Sequence, residues 1–150
     1  MSDLTTFSQA DGVSSPIAPY SLMVRSNNAR SIYHIAGQCA VDASGAVMGA
    51  TIEEQTAAVF DNLTKVLAVD GLKWSNVVKL TCYVVNRGDI RGFNAAREKA
   101  FTELLPNGPY PANSLIIVSG LVWPELLLEI EGVAVARYLE VSSADRGGQP

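Results

Sequence analysis

The sequence predicts one α+β domain, with two helices on one face of a mixed sheet in the order β-β-α-β-α-β-β. Three observations predict it. Two segments repeat apolar residues at helical spacing, and each lies between segments rich in β-branched residues. A helix that joins two strands normally sets them parallel through a right-handed crossover. The 150 residues, 48% of them hydrophobic, suffice for one core.

The opening, up to about Pro19, holds Gly12, Ser14, Ser15, Pro16 and Pro19 and reads as an irregular lead-in. Ser31 to Ala36 reads as the first strand. Ala40 to Val47 reads as a turn at Asp42-Ala43-Ser44-Gly45 between two short strands. Thr51-Ile52-Glu53-Glu54 has the capping-box pattern, and Val59, Phe60, Leu63, Val66 and Leu67 follow at helical spacing until Asp70-Gly71. Val77 to Asn86 is a β-branched strand. A second helix starts near Asp89, places Ile90, Phe93, Arg97, Ala100, Phe101 and Leu104 on one side, and stops at Pro106. Ser114 to Ser119 is almost wholly apolar, which predicts a strand buried on both faces. Leu126 to Arg137 reads as the longest strand. Residues 1–138 therefore form the domain, and the small, polar stretch 139–150 reads as a flexible tail.

Charge narrows the function classes. Only 17% of residues are charged, against about 25% in ordinary soluble domains. A sheet face without helices and so few charges to solvate it predict burial against another subunit. The net charge of −4 disfavours nucleic-acid binding, which needs a cationic footprint. No apolar run approaches the ~20 residues of a membrane span, and the first residues lack a signal-peptide pattern. Cys39 and Cys82 make no disulfide framework, so a reduced cytoplasm is the expected setting. One histidine, His34, and two distant cysteines make no spaced metal set, and no phosphate-cradling or dinucleotide motif is present, so no cofactor is expected. A lone histidine in a strand is more often structural than catalytic.

The last strand carries more. Residues alternate faces along a strand, so Glu129, Glu131, Val133 and Val135 point away from the helices, and Leu128, Ile130, Ala134 and Ala136 point under them. The two carboxylates stand about 7 Å apart. In an interface such a glutamate needs a partner, and it is suited to general acid–base work or to positioning water. A solvated acidic face or an interface ion pair is the plainer explanation of the same residues. The loop Pro106-Asn107-Gly108-Pro109-Tyr110-Pro111-Ala112 is stiff and delivers Asn113 and Ser114 to the start of a strand, a common place for functional groups.

Taken together, these residues resemble the Rid (YjgF) family of reactive-intermediate deaminases. The matching pieces are Ala18-Pro19-Tyr20-Ser21, Ala36-Gly37-Gln38 with Asp42 and Gly45, Gln55-Thr56, Asn62-Leu63 and Asp70-Gly71-Leu72. After them come Val77-Val78-Lys79 with Thr81 and Tyr83, Phe93-Asn94, Pro111-Ala112-Asn113-Ser114 and Glu129-Ile130-Glu131. They run in family order over about Phe7 to Arg137. The resemblance implies a chorismate-mutase-like fold, a homotrimer whose sheets form a central barrel, and ligand clefts between subunits. It implies a small-molecule ligand and, in the best-known branch, hydrolysis of imines or enamines to a carbonyl compound and ammonia. Glu129 corresponds to the glutamate that positions water. Tyr20, the Gly37 backbone, Asn94, Asn113 and Ser114 correspond to the ligand-holding groups. Trp123 stands where the family has a short loop, fit either to wall the cleft or to fill an interface.

The family's carboxylate-gripping arginine is replaced by Asn113, and Leu115 and Ala36 depart from the pattern nearby. A charge-assisted hydrogen bond is worth ~1.5–3 kcal/mol against ~1 for a neutral one. Losing it weakens an amino-acid-derived imine roughly tenfold. The expectation is therefore a divergent branch that acts poorly on 2-aminoacrylate, with a neutral ligand or one held by Arg25, Arg91 or Arg97, which are otherwise ordinary surface charges. Alternatives are a non-catalytic metabolite-binding trimer, a cyclase or dehydratase using the same glutamate, and, least favoured by charge, a ribonuclease.

Overall fold

The computed structural model describes residues 4–137. The strands are β1 (Leu4–Phe7), β2 (Met23–Ser26), β3 (Ala29–Cys39), β4 (Val77–Val84), β5 (Ala112–Ile117) and β6 (Leu128–Arg137). The helices are α1 (Ile52–Ala68) and α2 (Ile90–Leu104). The four long-range strands form a sheet in the order β3-β6-β4-β5, and β1 and β2 form a separate antiparallel ribbon. β6 is antiparallel to both β3 and β4, so those two run parallel with β6 between them. β5 runs parallel to β4 beside it. Both helices thus make the parallel crossovers that their positions in the sequence require.

Helix α1 starts as its capping box demands. Thr51 Oγ1 accepts from the Glu54 amide at 3.2 Å, and the Glu54 carboxylate accepts from the amides of Ala50 and Thr51. It stops before Gly71, which holds φ +69°. A short turn at Arg87–Asp89 leads into α2. Phe60 stacks on Trp74 at 5.0 Å, and Phe101 meets both rings edge-on. Leu80, Cys82, Val84, Leu128, Ile130 and Ala134 supply the sheet side of this core.

Several sequence expectations change. The lead-in is not wholly irregular, because Leu4–Phe7 pairs with Met23–Ser26; strands this short carry too few residues for an alternation to be read. The two strands expected around Asp42 reduce to one bridge, Val41 to Val47. There the Asp42 carboxylate accepts from the amides of Ser44 and Ala46 and satisfies the turn locally. Those bonds hold the Asp42 carboxyl below its ordinary range, the Ser44 hydroxyl contributing most. The apolar strand is not buried on both faces. β5 is the sheet edge, and Ser114 and Ile116 are exposed on it. β3, at eleven residues, is longer than β6, at ten. The expected tail at 139–150 lies outside the described residues.

One buried polar side chain fixes the turn that precedes β6. Gln55 on α1 is 1% exposed. Its Nε2 donates to the carbonyls of Gly49 and Glu125 at 3.1 and 2.8 Å, and its Oε1 accepts from the Leu127 amide at 2.9 Å. Gln55→Ala leaves these backbone groups without partners, so it is expected to lower unfolding free energy by about 3 kcal/mol. Chemical denaturation checks this, and a loss under ~1 kcal/mol would show that the turn is held by other contacts.

Candidate functional site

The sheet separates the expected site residues into two groups. The first lies on the helix-free face at the β6 start. Glu129 stands opposite Cys39 on β3 and Tyr83 on β4. Glu129 Oε2 is 3.6 Å from Cys39 Sγ, which can donate to it. Gly37 closes the other side: a Cβ on it would overlap the Glu129 carboxyl group. Glycine here lets backbone press against the carboxylate. The β3 register shifts between Ile35 and Gln38, which brings the Gly37–Cys39 stretch onto this face. Asn62 Nδ2 braces its end by donating to the carbonyls of Cys39 and Val41. Tyr83 Oη donates to Glu131 Oε1 at 3.0 Å, and that bond pushes the phenol's pKa up. Lys79 Nζ donates to Ser114 Oγ at 2.7 Å farther along the same face. A recess of about 150 Å³ there is lined by His34, Lys79, Thr81 and Glu131.

The second group lies on the helix side near the β5 start. Asn113 stands opposite Leu80, whose side chain is core. Its amide is satisfied with the oxygen 2.9 Å from Arg97 Nη1 and the nitrogen 3.2 Å from the Leu80 carbonyl. Arg97 Nη2 donates to Asn94 Oδ1 at 2.9 Å, and its guanidinium lies over the Phe93 ring at 5.0 Å. Arg97 is not the surface charge expected from its type, being only 2% exposed. Burial pulls its pKa down, and Cys82 and Tyr20 oppose that shift through charge. The Tyr20 segment docks beside β5, where the Ser21 amide donates to the Pro111 carbonyl and Ser21 Oγ to the Tyr110 carbonyl.

Within one chain these groups do not meet. Asn113 is level with Leu80, and Leu80 with Gly132, three residues from Glu129. That is about 10 Å along the strands and about 10 Å across two strand spacings, on opposite faces. Trp123, 42% exposed, lies in the turn before β6, at the Glu129 end of the sheet. A recess of about 690 Å³ between α1 and α2 is lined by Ala57, Phe60, Ala96, Lys99 and Leu104, and none of the expected site residues reaches it. Among the described residues, no cluster of histidine, cysteine, aspartate and glutamate could hold a metal ion, and no helix is long and apolar enough to cross a membrane.

The sequence reading missed the Cys39 contact and the burial of Arg97. No signal marks the former. The latter was readable, because Arg97 falls on the side of α2 that holds Phe93 and Phe101. Burial and the Glu129 charge push the Cys39 thiol up to about 12, and burial pushes Cys82 to about 12. At pH 8 both are thiols, so alkylation by iodoacetamide is expected at least about a hundredfold slower than for free cysteine. Glu129→Gln removes the charge and should speed Cys39 labelling alone. Labelling of Cys39 at the free-cysteine rate would contradict the contact.

Three comparisons place these features. The family model described as endoribonuclease L-PSP matches residues 12–136. A 2-iminobutanoate/2-iminopropanoate deaminase of Salmonella typhimurium is 31% identical over 121 residues, 81% of this chain and 90% of its own. A RutC family protein of Pyrococcus horikoshii is 31% identical over 120 residues, 79% of this chain and 88% of its own. A crystal structure of a Rid-family protein of Yersinia pestis, itself of unknown function, superposes with a TM-score of 0.78 at 33% identity, covering 89% of this chain and 99% of that one. With the match running over nearly all of the described domain, the chain belongs to the endoribonuclease L-PSP family, the Rid (YjgF) family that its motifs resemble.

Proposed function

We propose that the protein hydrolyses the C=N bond of a small imine or enamine, releasing a carbonyl compound and ammonia, in a cleft completed by a second copy of the chain. The observation that carries this is Glu129, a carboxylate fixed between the Gly37 backbone and the Cys39 thiol on the helix-free face. The deaminase name of the Salmonella relative supports the reaction class. Glu129 takes a proton from water as the oxygen attacks the imine carbon, and the nitrogen is protonated. The carbinolamine then expels ammonia, its hydroxyl losing a proton as the carbonyl forms. Atoms balance as imine plus water giving carbonyl plus ammonia.

A homotrimer with the helix-free faces turned inward supplies the second copy. Ile32, 62% exposed, and Ile116, 42% exposed, lie on that face and gain most from being covered. The separation of Glu129 from Asn113 within one chain favours the same assembly, since one cleft can then hold Glu129 of one copy near Tyr20, Asn94, Asn113 and Ser114 of its neighbour. RNA cleavage is disfavoured, because a net charge of −4 gives phosphates no footprint.

The test generates 2-iminopropanoate from alanine with an amino-acid oxidase and times its loss by semicarbazide trapping. Faster loss with ammonia release is the expected result. No acceleration of this imine or of 2-aminoacrylate, with retained binding of pyruvate, would overturn hydrolysis and leave a metabolite-binding trimer. A water-loss product in place of ammonia would make the protein a dehydratase.

A further inference from the structure

Arg97 poses a problem that hydrolysis by Glu129 does not answer. It is a permanent cation at 2% exposure. Its polar neighbours, the amides of Asn94 and Asn113, are neutral. Its Nε has no hydrogen-bond partner. Among the described residues, no carboxylate forms an ion pair with Arg97. A buried charge without a counter-charge is expensive, and structures rarely keep one for packing alone. Phe93 faces the guanidinium with its π cloud, which offsets only part of that cost.

The surroundings say where the missing anion belongs. Asn94 and Asn113, each half-buried, hold the guanidinium, and half-buried Tyr20 stands close enough to act on it through charge. The polar side of Arg97 is therefore met by residues that the family resemblance assigns to the ligand cleft. A charge in a low-dielectric setting acts over several ångströms, farther than a hydrogen bond reaches.

We propose that Arg97 is a specificity-determining residue, a buried cation behind Asn94 and Asn113 that selects a ligand bearing one carboxylate. The proposal deepens the reading of this surface as a cleft for a small imine and rests on it for the location. It narrows the sequence expectation of a neutral ligand, or one held by Arg25, Arg91 or Arg97, to the last of these arginines. The charge is supplied from α2, and Asn94 and Asn113 orient it. Arg97 touches those amides rather than ligand, so it acts as a positioning group for the electrostatic field of the cleft.

The experiment compares pyruvate with its uncharged isostere pyruvamide, binding each to the full-length protein by titration calorimetry or ligand-observed NMR. Wild type is expected to favour pyruvate at least tenfold. Arg97→Gln keeps a donor for one amide and removes the charge; it should weaken pyruvate roughly tenfold while moving pyruvamide less than twofold. Arg97→Lys keeps the charge and should retain most of the preference. Equal affinity of wild type for the two probes, absence of binding by both, or a parallel loss of both in Arg97→Gln would overturn the proposal. If Arg97→Gln fails to fold, the wild-type preference and the Arg97→Lys variant still decide. Charge selection without hydrolysis would sustain this inference and sink the hydrolase reading; hydrolysis without charge selection would do the reverse.

Discussion

Glu129→Gln is expected to cut kcat/KM for imine hydrolysis by at least about a hundredfold. A positioned proton acceptor contributes typically 10²–10⁴-fold, and glutamine has the same shape without the basic oxygen. The contact surface should survive, since the amide fits the same space beside Gly37 and Cys39. Thermal stability should therefore change little: the carboxylate holds no ion pair with a described residue, and its one protein partner is a weak sulfur donor. The pairing of a large kinetic loss with a small stability change is the decisive result. Activity within a few-fold of wild type would remove Glu129 as the proton acceptor and shift attention to Glu131, which Tyr83 already engages.

Much of this arrangement is legible in the sequence. The capping box at Thr51 and Glu54 set the start of α1 to the residue, because that signal is local and complete in four positions. The alternation of Leu128 and Ile130 against Glu129 and Glu131 fixed which side of β6 meets the helices. What failed was non-local. Whether Ser114–Ile117 is a central or an edge strand depends on the strand order, which its own apolar residues do not encode. β2 was invisible because Met23–Ser26 alternates only twice and takes its partner strand, Leu4–Phe7, from beyond an intervening stretch of irregular chain. The site divides in the same way. Glu129 and Gly37 were found by motif, and the structure puts them in contact. Asn113 is assigned to the ligand cleft by motif, and its amide also engages Arg97 and the Leu80 carbonyl, a pairing between α2 and β5 that no spacing rule reveals. Arg97 shows the opposite failure. Its helical position marks it as buried, and the habit of placing arginine at the surface outweighed that position.

Gly37→Ala should come close to Glu129→Gln in activity without altering Glu129 at all. The added methyl would overlap Glu129 Oε1 and lie 2.7 Å from Cδ and 2.9 Å from Cγ. These atoms are the end of a flexible side chain, so the carboxyl group swings aside and the fold gives little. The expected stability change is under ~1 kcal/mol, while a displacement of about 1 Å at a reacting group is enough for a hundredfold kinetic loss. Gly132→Ala on the same strand supplies the contrast. There the Cβ would meet Leu80 Cδ2 and the Lys79 carbonyl oxygen, both at 3.1 Å, inside the core and against backbone. It should cost about 1–3 kcal/mol of stability and leave turnover per folded molecule nearly unchanged. If Gly37 acts only through Glu129, adding Gly37→Ala to Glu129→Gln lowers activity little further, a non-additivity that a kinetic double-mutant cycle measures. Additive losses would mean that the Gly37 backbone meets the ligand itself, as a hydrogen-bonding wall of the cleft, and that its tight approach to Glu129 is incidental to catalysis.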